Sequence, residues 1–133
     1  MPSVPTPEVG PLPNADLAQL VAAAADLCRK PWRHAVLMTE VDSASDLNDC
    51  CLRLEVRDPL GKRLPPEDLD LELYRSGQQL NLTLSWTEAP DRPILWHGQH
   101  PVWMLSHTGE RCARPDDGQG LEALARRLRS LLS

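Results

Sequence analysis

The sequence predicts an α+β fold, in which an N-terminal and a C-terminal amphipathic helix flank an antiparallel meander sheet of about five to six strands in a two-layer sandwich. Three observations lead to this prediction. Apolar residues recur at helical spacing in the segments 14–30 and 119–132. They alternate with polar residues in several short segments between the two helices. Turn residues such as Gly, Pro, Asn and Asp separate these alternating segments.

Length and composition indicate one domain. The chain has 133 residues, of which 41% are hydrophobic and 25% are charged, a balance typical of one globular domain. Residues 1–13 include five prolines and few apolar side chains that could be buried. We therefore expect a proline-rich flexible tail over residues 1–13, followed by a single α+β domain over residues 14–133.

The charge and the hydropathy of the chain each argue against one class of partner. A net charge of −5 disfavours binding of nucleic acid, which needs clustered Lys and Arg facing the phosphates. Arg126, Arg127 and Arg129 crowd together near the C-terminus, but such a stretch is typical of the solvated face of a helix. No apolar run approaches the roughly 20 residues that span a bilayer. We therefore expect that the protein neither binds nucleic acid nor associates with a membrane.

The cysteines favour a reducing compartment over a disulfide framework. Of the four, Cys50 and Cys51 are adjacent, and Cys28 falls on the apolar stripe of the first predicted helix. The N-terminus also lacks a basic region followed by an apolar stretch. These observations predict a cytoplasmic protein.

The two terminal helices have clear apolar stripes. The first should begin near Asn14 or Asp16 and end before Pro31. The second should begin near residues 118–120. The stripe of the first consists of Leu17, Leu20, Val21, Ala24, Leu27 and Cys28, and that of the second consists of Leu121, Leu124, Ala125, Leu128, Leu131 and Leu132.

The first two strands surround an acidic connection. Residues 34–41 are expected to form one strand, and residues 42–49 a polar, serine-containing connection. In residues 51–58, apolar and charged side chains alternate, as in a strand with one buried face. Residues 58–61 then form a turn.

A leucine hairpin is predicted next. With Ser76 and Gly77 as a two-residue turn, Arg75 faces Gln78 and three leucine pairs fall on one face. The predicted pairs are Leu73 with Leu80, Leu71 with Leu82, and Leu69 with Leu84.

A second hairpin is expected to turn at Gly98 and Gln99, so that His97 faces His100. Unlike the first hairpin, it is apolar on both faces. One face carries Ile94, Trp96 and Trp103, and the other carries Leu95, Val102 and Met104. A short further turn at Thr108 and Gly109 is expected to extend the meander to Cys112.

The second hairpin also holds the densest group of potential metal ligands. His97 and His100 would lie close enough to share one Zn²⁺, with His107 or Cys112 as a third ligand. The spacing matches no standard zinc pattern, and two histidines at an exposed turn are the commoner interpretation. The sequence therefore predicts no cofactor.

No catalytic set emerges from the sequence. Ser106 and His107 are adjacent on a strand and point to opposite faces, and no Gly-x-Ser-x-Gly motif surrounds any serine. The acidic stretch fails as an EF-hand because Leu47 stands where glycine is required.

In size, charge, terminal helix and α+β composition the chain is similar to the small acidic chaperones of type III secretion, although no motif is shared.

These observations give two functional hypotheses. The first is a non-enzymatic protein-binding, assembly or adaptor protein that uses the apolar second hairpin to hold a partner, or a second copy of itself. Its contact residues would be Ile94, Leu95, Trp96, Val102, Trp103 and Met104. The alternative is a small metal- or ligand-binding protein or enzyme that uses His97, His100 and His107.

Overall fold

A computed structural model describes residues 14–42 and 49–132. The described elements are α1 (Asn14–Cys28), β1 (Arg33–Asp42), β2 (Asp49–Arg57), a 3-10 turn (Pro65–Glu67), β3 (Leu69–Ser76), β4 (Gln79–Trp86), β5 (Ile94–His97), β6 (Pro101–Met104) and α2 (Gln119–Leu132). The six strands pair antiparallel in chain order. The predicted α+β meander with terminal helices is confirmed. The expected tail over residues 1–13 and most of the acidic connection lie outside the described residues.

Both helices pack on the same face of the sheet. Most residues of their apolar stripes join the inward side chains of the strands in one core cluster, whereas Leu27 and Leu131 of the predicted stripes are about half exposed. From α1 this cluster includes Leu17, Val21, Ala24 and Ala25, and from α2 it includes Leu121, Leu124, Ala125, Leu128 and Leu132. Burying each large aliphatic side chain contributes about 1.5 to 3 kcal/mol, which holds the helices on the sheet. Among the described residues, no helix is long and apolar enough to cross a membrane.

Strand alternation determines which side chains enter this core. In β2, Leu52, Leu54 and Val56 are fully buried, whereas Arg53 between them is exposed. The same period of two continues in β3 and β4. The outer face, opposite the helices, is polar across β2 and β3, where Arg53 pairs with Asp70 at 3.4 Å.

The register predicted for the leucine hairpin is wrong by two residues. The turn consists of Gly77 and Gln78, so the pairs are Leu73 with Leu82, Leu71 with Leu84, and Leu69 with Trp86. Gly77 has a φ of +65° and occupies the first central position, where the two-residue turns that suit hairpins need a positive φ. A shift of two preserves the face, so the leucines are buried as predicted.

The register of the second hairpin differs from the predicted one by one residue. This difference changes which side chains share a face of the sheet. Gly98, Gln99 and His100 form a three-residue loop, and His97 pairs with Pro101, a residue that suits the first position of a strand. A shift of one moves every side chain of the returning strand to the opposite face. Trp103 therefore joins Leu95 on the helix side, and the predicted division of the six apolar residues is wrong.

The expected further turn forms, but it adds no strand. Gly109 has a φ of +76°, and its N–H donates to the carbonyl of Leu105 at 2.9 Å. The chain that follows makes one isolated bridge, between Arg111 and Met104. This segment therefore lies along the edge of β6.

Asp68 holds the long connection between β2 and β3. Its carboxylate is buried and accepts hydrogen bonds from the Val56 backbone N–H at 2.8 Å and from both terminal nitrogens of Arg63 at 2.9 and 2.7 Å. Burial alone would raise the pKa of Asp68, but these hydrogen bonds and the Arg63 charge hold it below its usual value. The carboxylate therefore stays ionised and fixes the loop against the sheet.

Candidate functional site

Trp103 is a core residue and not a contact surface. It is 5% exposed and stacks on Trp86 with ring centroids 6.2 Å apart. Its indole N–H donates to Glu122 Oε2 at 2.7 Å. A Cβ on Gly118 would lie 2.7 Å from the Trp103 ring, so only glycine leaves room for it. Trp103 and the fully buried Leu95 are thereby removed from the predicted partner-binding set.

The other four predicted contact residues lie together on the outer face. Trp96 pairs with Val102, and Ile94 pairs with Met104, on the side of the sheet opposite both helices. All four are only partly buried. The patch joins apolar side chains of β5 and β6 that the sequence had assigned to two different faces. We call these four residues the outer patch.

Trp96 is held in a fixed orientation within the outer patch. Its indole N–H donates to the Tyr74 hydroxyl at 2.7 Å, so the ring extends across the face of β4. A Cβ on Gly98 would lie 2.6 Å from this ring and 2.9 Å from Asn81 Oδ1. The absence of a side chain at Gly98 therefore permits the ring to lie against the backbone of the loop. Tyr74 was missed as a site residue, because its distance from Trp96 depends on the register of two hairpins.

A shallow concavity adjoins Trp96 on this face. It has a volume of about 350 Å³ and is lined by Tyr74, Ser76, Gln79, Asn81, Trp96, Gln99 and His100. None of these residues carries a full charge when His100 is neutral. This mixture of aromatic and polar side chains suits an uncharged, amphipathic contact.

A second concavity lies on the helix side of the same loop. It has a volume of about 480 Å³ and is lined by His97, Gln99, His100, Pro101, Arg126, Arg129 and Ser130. The sequence had brought His97 and His100 together, and both contribute to this basic cavity. It missed Arg126 and Arg129 as site residues, because the way in which α2 docks places them over the hairpin, and no local pattern encodes that docking.

His97 is the most buried polar group of this cavity, with 4% exposure. Its Nδ1 lies 3.2 Å from the Gly98 carbonyl oxygen. Among the described residues, its Nε2 has no hydrogen-bond partner. Burial lowers the pKa of His97, the hydrogen bond to Gly98 opposes this, and the charges of Arg129 and Arg126 lower it further. The ring is therefore neutral near pH 7.

The remaining predicted metal ligands lie elsewhere. His107 is exposed, and its Nε2 lies 2.9 Å from Asp91 Oδ1. Cys112 packs against the core cluster, and its N–H donates to the Trp103 carbonyl at 2.9 Å. Within residues 14–42 and 49–132, no three His, Cys, Asp or Glu side chains are placed to hold a metal ion. The predicted zinc set is thus not brought together.

A buried polar network that the sequence did not suggest lies at the end of α1. His34 is enclosed, with Nδ1 2.9 Å from Asp26 Oδ1 and Nε2 3.2 Å from the guanidinium of Arg29. Arg29 also pairs with Glu67 at 3.3 Å and lies over the ring of Trp32. Within the part of the chain that the structure describes, these hydrogen bonds and ion pairs join α1 to β1 and to the 3-10 turn, and we interpret the network as a structural one. A sequence signal for it is absent, since its members come from three separate segments.

Comparison with known proteins shows the family of the chain but not its activity. No curated protein and no solved structure matches the chain. The family model described as "Domain of unknown function (DUF8659)" matches residues 18–131. This range extends from α1 to α2 and includes the outer patch and both concavities. The chain belongs to the DUF8659 family.

Proposed function

We propose that this protein is a non-enzymatic binding protein, of the assembly or adaptor kind, that holds a protein partner on the outer patch. The observation that carries the proposal is the grouping of Ile94, Trp96, Val102 and Met104 on the sheet face opposite both helices. Apolar surface that stays in water forfeits about 25 cal/mol per Å², which a partner recovers. Trp is also the residue most enriched at binding hot spots.

The partner to which we commit is a second copy of the chain. A two-fold contact places the same patch on both sides, so the patch must be compatible with itself. The four residues of the outer patch are uncharged, and two copies can therefore meet there without like-charge repulsion despite a net charge of −5 each. The fixed orientation of Trp96, bonded to Tyr74, lowers the entropy lost on association.

Sedimentation equilibrium of the full chain over a wide range of concentrations tests this proposal. We expect a reversible dimer that is weakened in both Trp96→Glu and Met104→Glu. Met104→Glu should keep a melting temperature close to that of the parent, whereas Trp96→Glu also loses the hydrogen bond to Tyr74. Leu37→Glu is the matched control, since Leu37 is half exposed on the same face at the far edge of the sheet. A parent chain that stays monomeric throughout, or a control that weakens the dimer equally, would contradict the proposal.

A second candidate function is a small ligand-binding protein or enzyme centred on the histidines of the hairpin loop. It is favoured by one observation, namely that His97 and His100 share a cavity with Arg126 and Arg129. The geometry supports a ligand there in preference to a metal, and His107 takes no part. For either function we propose a cytoplasmic location, which the free thiols of Cys28 and Cys112 support.

A further inference from the structure

The cavity between α2 and the loop after β5 combines donors from two elements. Arg126, Arg129 and Ser130 approach from the helix, and His97 and His100 approach from the hairpin. Its volume of about 480 Å³ falls within the range of small-molecule sites, which is about 300 to 1,000 Å³. A ligand larger than a single inorganic ion therefore fits.

The helix side of this cavity supplies positive charge. The Nε of Arg129 donates to the Leu80 carbonyl at 3.0 Å, and among the described residues no carboxylate pairs with this guanidinium. Arg126 contacts Glu122 at 3.4 Å, but its side chain remains 60% exposed. Guanidinium groups bind phosphate oxygens in a two-pronged geometry. This side of the cavity is thus complementary to a phosphate group.

The hairpin side supplies a hydrogen-bond acceptor. A carbonyl oxygen can only accept, so the contact between Gly98 and His97 Nδ1 places the ring hydrogen on Nδ1. The neutral Nε2 is then an acceptor, buried and without a partner among the described residues. Buried polar atoms are nearly always bonded. His97 lines this cavity, so a ligand that displaces the atoms covering Nε2 would supply the missing partner. A hydroxyl group is the donor that suits this atom.

We propose that the cavity binds a phosphorylated small molecule that carries hydroxyl groups, of the sugar phosphate class. Arg126 and Arg129 hold the phosphate oxygens, and His97 Nε2 accepts a hydrogen bond from a hydroxyl of the ligand. This inference deepens the second candidate function, and it does not depend on the outer patch or on dimerisation.

Titration of the full chain with glucose 6-phosphate, followed by amide NMR shifts at Gln99, His100 and Ser130, tests the proposal. We expect saturable binding that weakens by about tenfold in Arg129→Gln and in Arg126→Gln, which corresponds to about 1.4 kcal/mol. Arg127→Gln is the matched control, because it removes the same charge from the same helix outside the cavity. Shifts that do not saturate, or equal weakening in the control, would overturn the proposal.

The hydroxyl contact has its own test. His97→Leu should weaken binding of glucose 6-phosphate but leave binding of sulfate, which carries no hydroxyl, unchanged. Equal affinity of the parent chain for sulfate and glucose 6-phosphate would overturn the sugar phosphate assignment while leaving an anion-binding protein. If the parent chain bound neither sulfate nor glucose 6-phosphate, the second candidate function would be contradicted as well.

Discussion

The guanidinium of Arg29 lies 3.2 Å from Nε2 of His34. Because a guanidinium can only donate, Nε2 of His34 accepts this hydrogen bond, and Nδ1 donates to Asp26 at 2.9 Å. The neutral form of His34 is thus the form that the fold accommodates. Burial lowers the pKa of His34, the hydrogen bond to Asp26 opposes this, and the charge of Arg29 lowers it further.

This arrangement predicts a loss of stability in mild acid. As the pH falls below about 6.5, the unfolded chain binds a proton at His34 that the folded chain does not, and the free energy of unfolding decreases until the folded pKa is reached. The slope approaches about 1.4 kcal/mol per pH unit for each such histidine. His97, whose pKa is also lowered, adds to it. Urea unfolding between about pH 5 and pH 8 measures the slope, which should be shallower in His34→Gln; an identical slope would contradict this assignment.

We expect Glu122 to stabilise the packing of α2 against Trp103. Its carboxylate accepts from the Trp103 indole at 2.7 Å and contacts Arg114 at 3.3 Å and Arg126 at 3.4 Å. Glu122→Ala leaves a buried indole N–H without an acceptor and should lower the free energy of unfolding by about 2 to 4 kcal/mol. Glu122→Gln retains an acceptor for Trp103 and should cost less. Denaturant unfolding compares the two variants, and equal losses would show that the charge matters and the indole contact does not.

Asp68 should contribute far more to the free energy of unfolding than the neighbouring Asp70. Asp68→Ala removes the acceptor of the Val56 N–H and the carboxylate that pairs with Arg63, so we expect a loss of about 2 to 4 kcal/mol. Asp70→Ala is the control, because its ion pair with Arg53 is half exposed and should contribute under about 1 kcal/mol. The free energy of unfolding measured in urea separates them. Similar values for both variants would mean that the buried carboxylate does not hold the connection.

The contact between Gly98 and Trp96 predicts a coupled pair of substitutions. Gly98→Ala places a Cβ 2.6 Å from the Trp96 ring, so the ring must move and stability should fall by about 1 to 3 kcal/mol. In a Trp96→Leu background, the same substitution should cost much less. A double-mutant cycle from denaturant unfolding gives the coupling energy. Additive losses would show that a contact other than the ring, such as that with Asn81 Oδ1 at 2.9 Å, excludes a side chain at residue 98.

The sequence predicted the elements of this fold better than their registers. Periodicity is a local property, so the stripes of α1 and α2 and the alternation in β2 located those elements correctly. Register depends on which residue takes the positive φ in a turn and on how many residues the loop contains. At Gly77 this difference moved the pairing by two and left the core unchanged. At the loop after His97 it moved the pairing by one, so that Val102 and Met104, and not Trp103, share a face with Ile94 and Trp96.

Only those residues of the candidate site that lie close together along the chain could be predicted from the sequence. His97 and His100 are neighbours along the chain, and their proximity followed from the hairpin alone. Arg126 and Arg129 fit the pattern of a solvated helix face, and their role as cavity walls depends on how α2 docks on β4 and β5. The exclusion of His107 and Cys112 likewise depends on the path of the chain after β6. Such placements result from tertiary packing and have no signature within one segment.

The loop after β5 belongs to both concavities, since Gln99 and His100 line each of them. A ligand that fixed Gln99 and His100 from one side would therefore also restrict the side chains that line the other concavity. For the dimer and the ligand that we propose, such a linkage would be reciprocal: the factor by which the ligand changes dimer affinity would equal the factor by which the dimer changes ligand affinity. Three residues between two short strands would thus be enough to make self-association of this chain respond to the concentration of a metabolite.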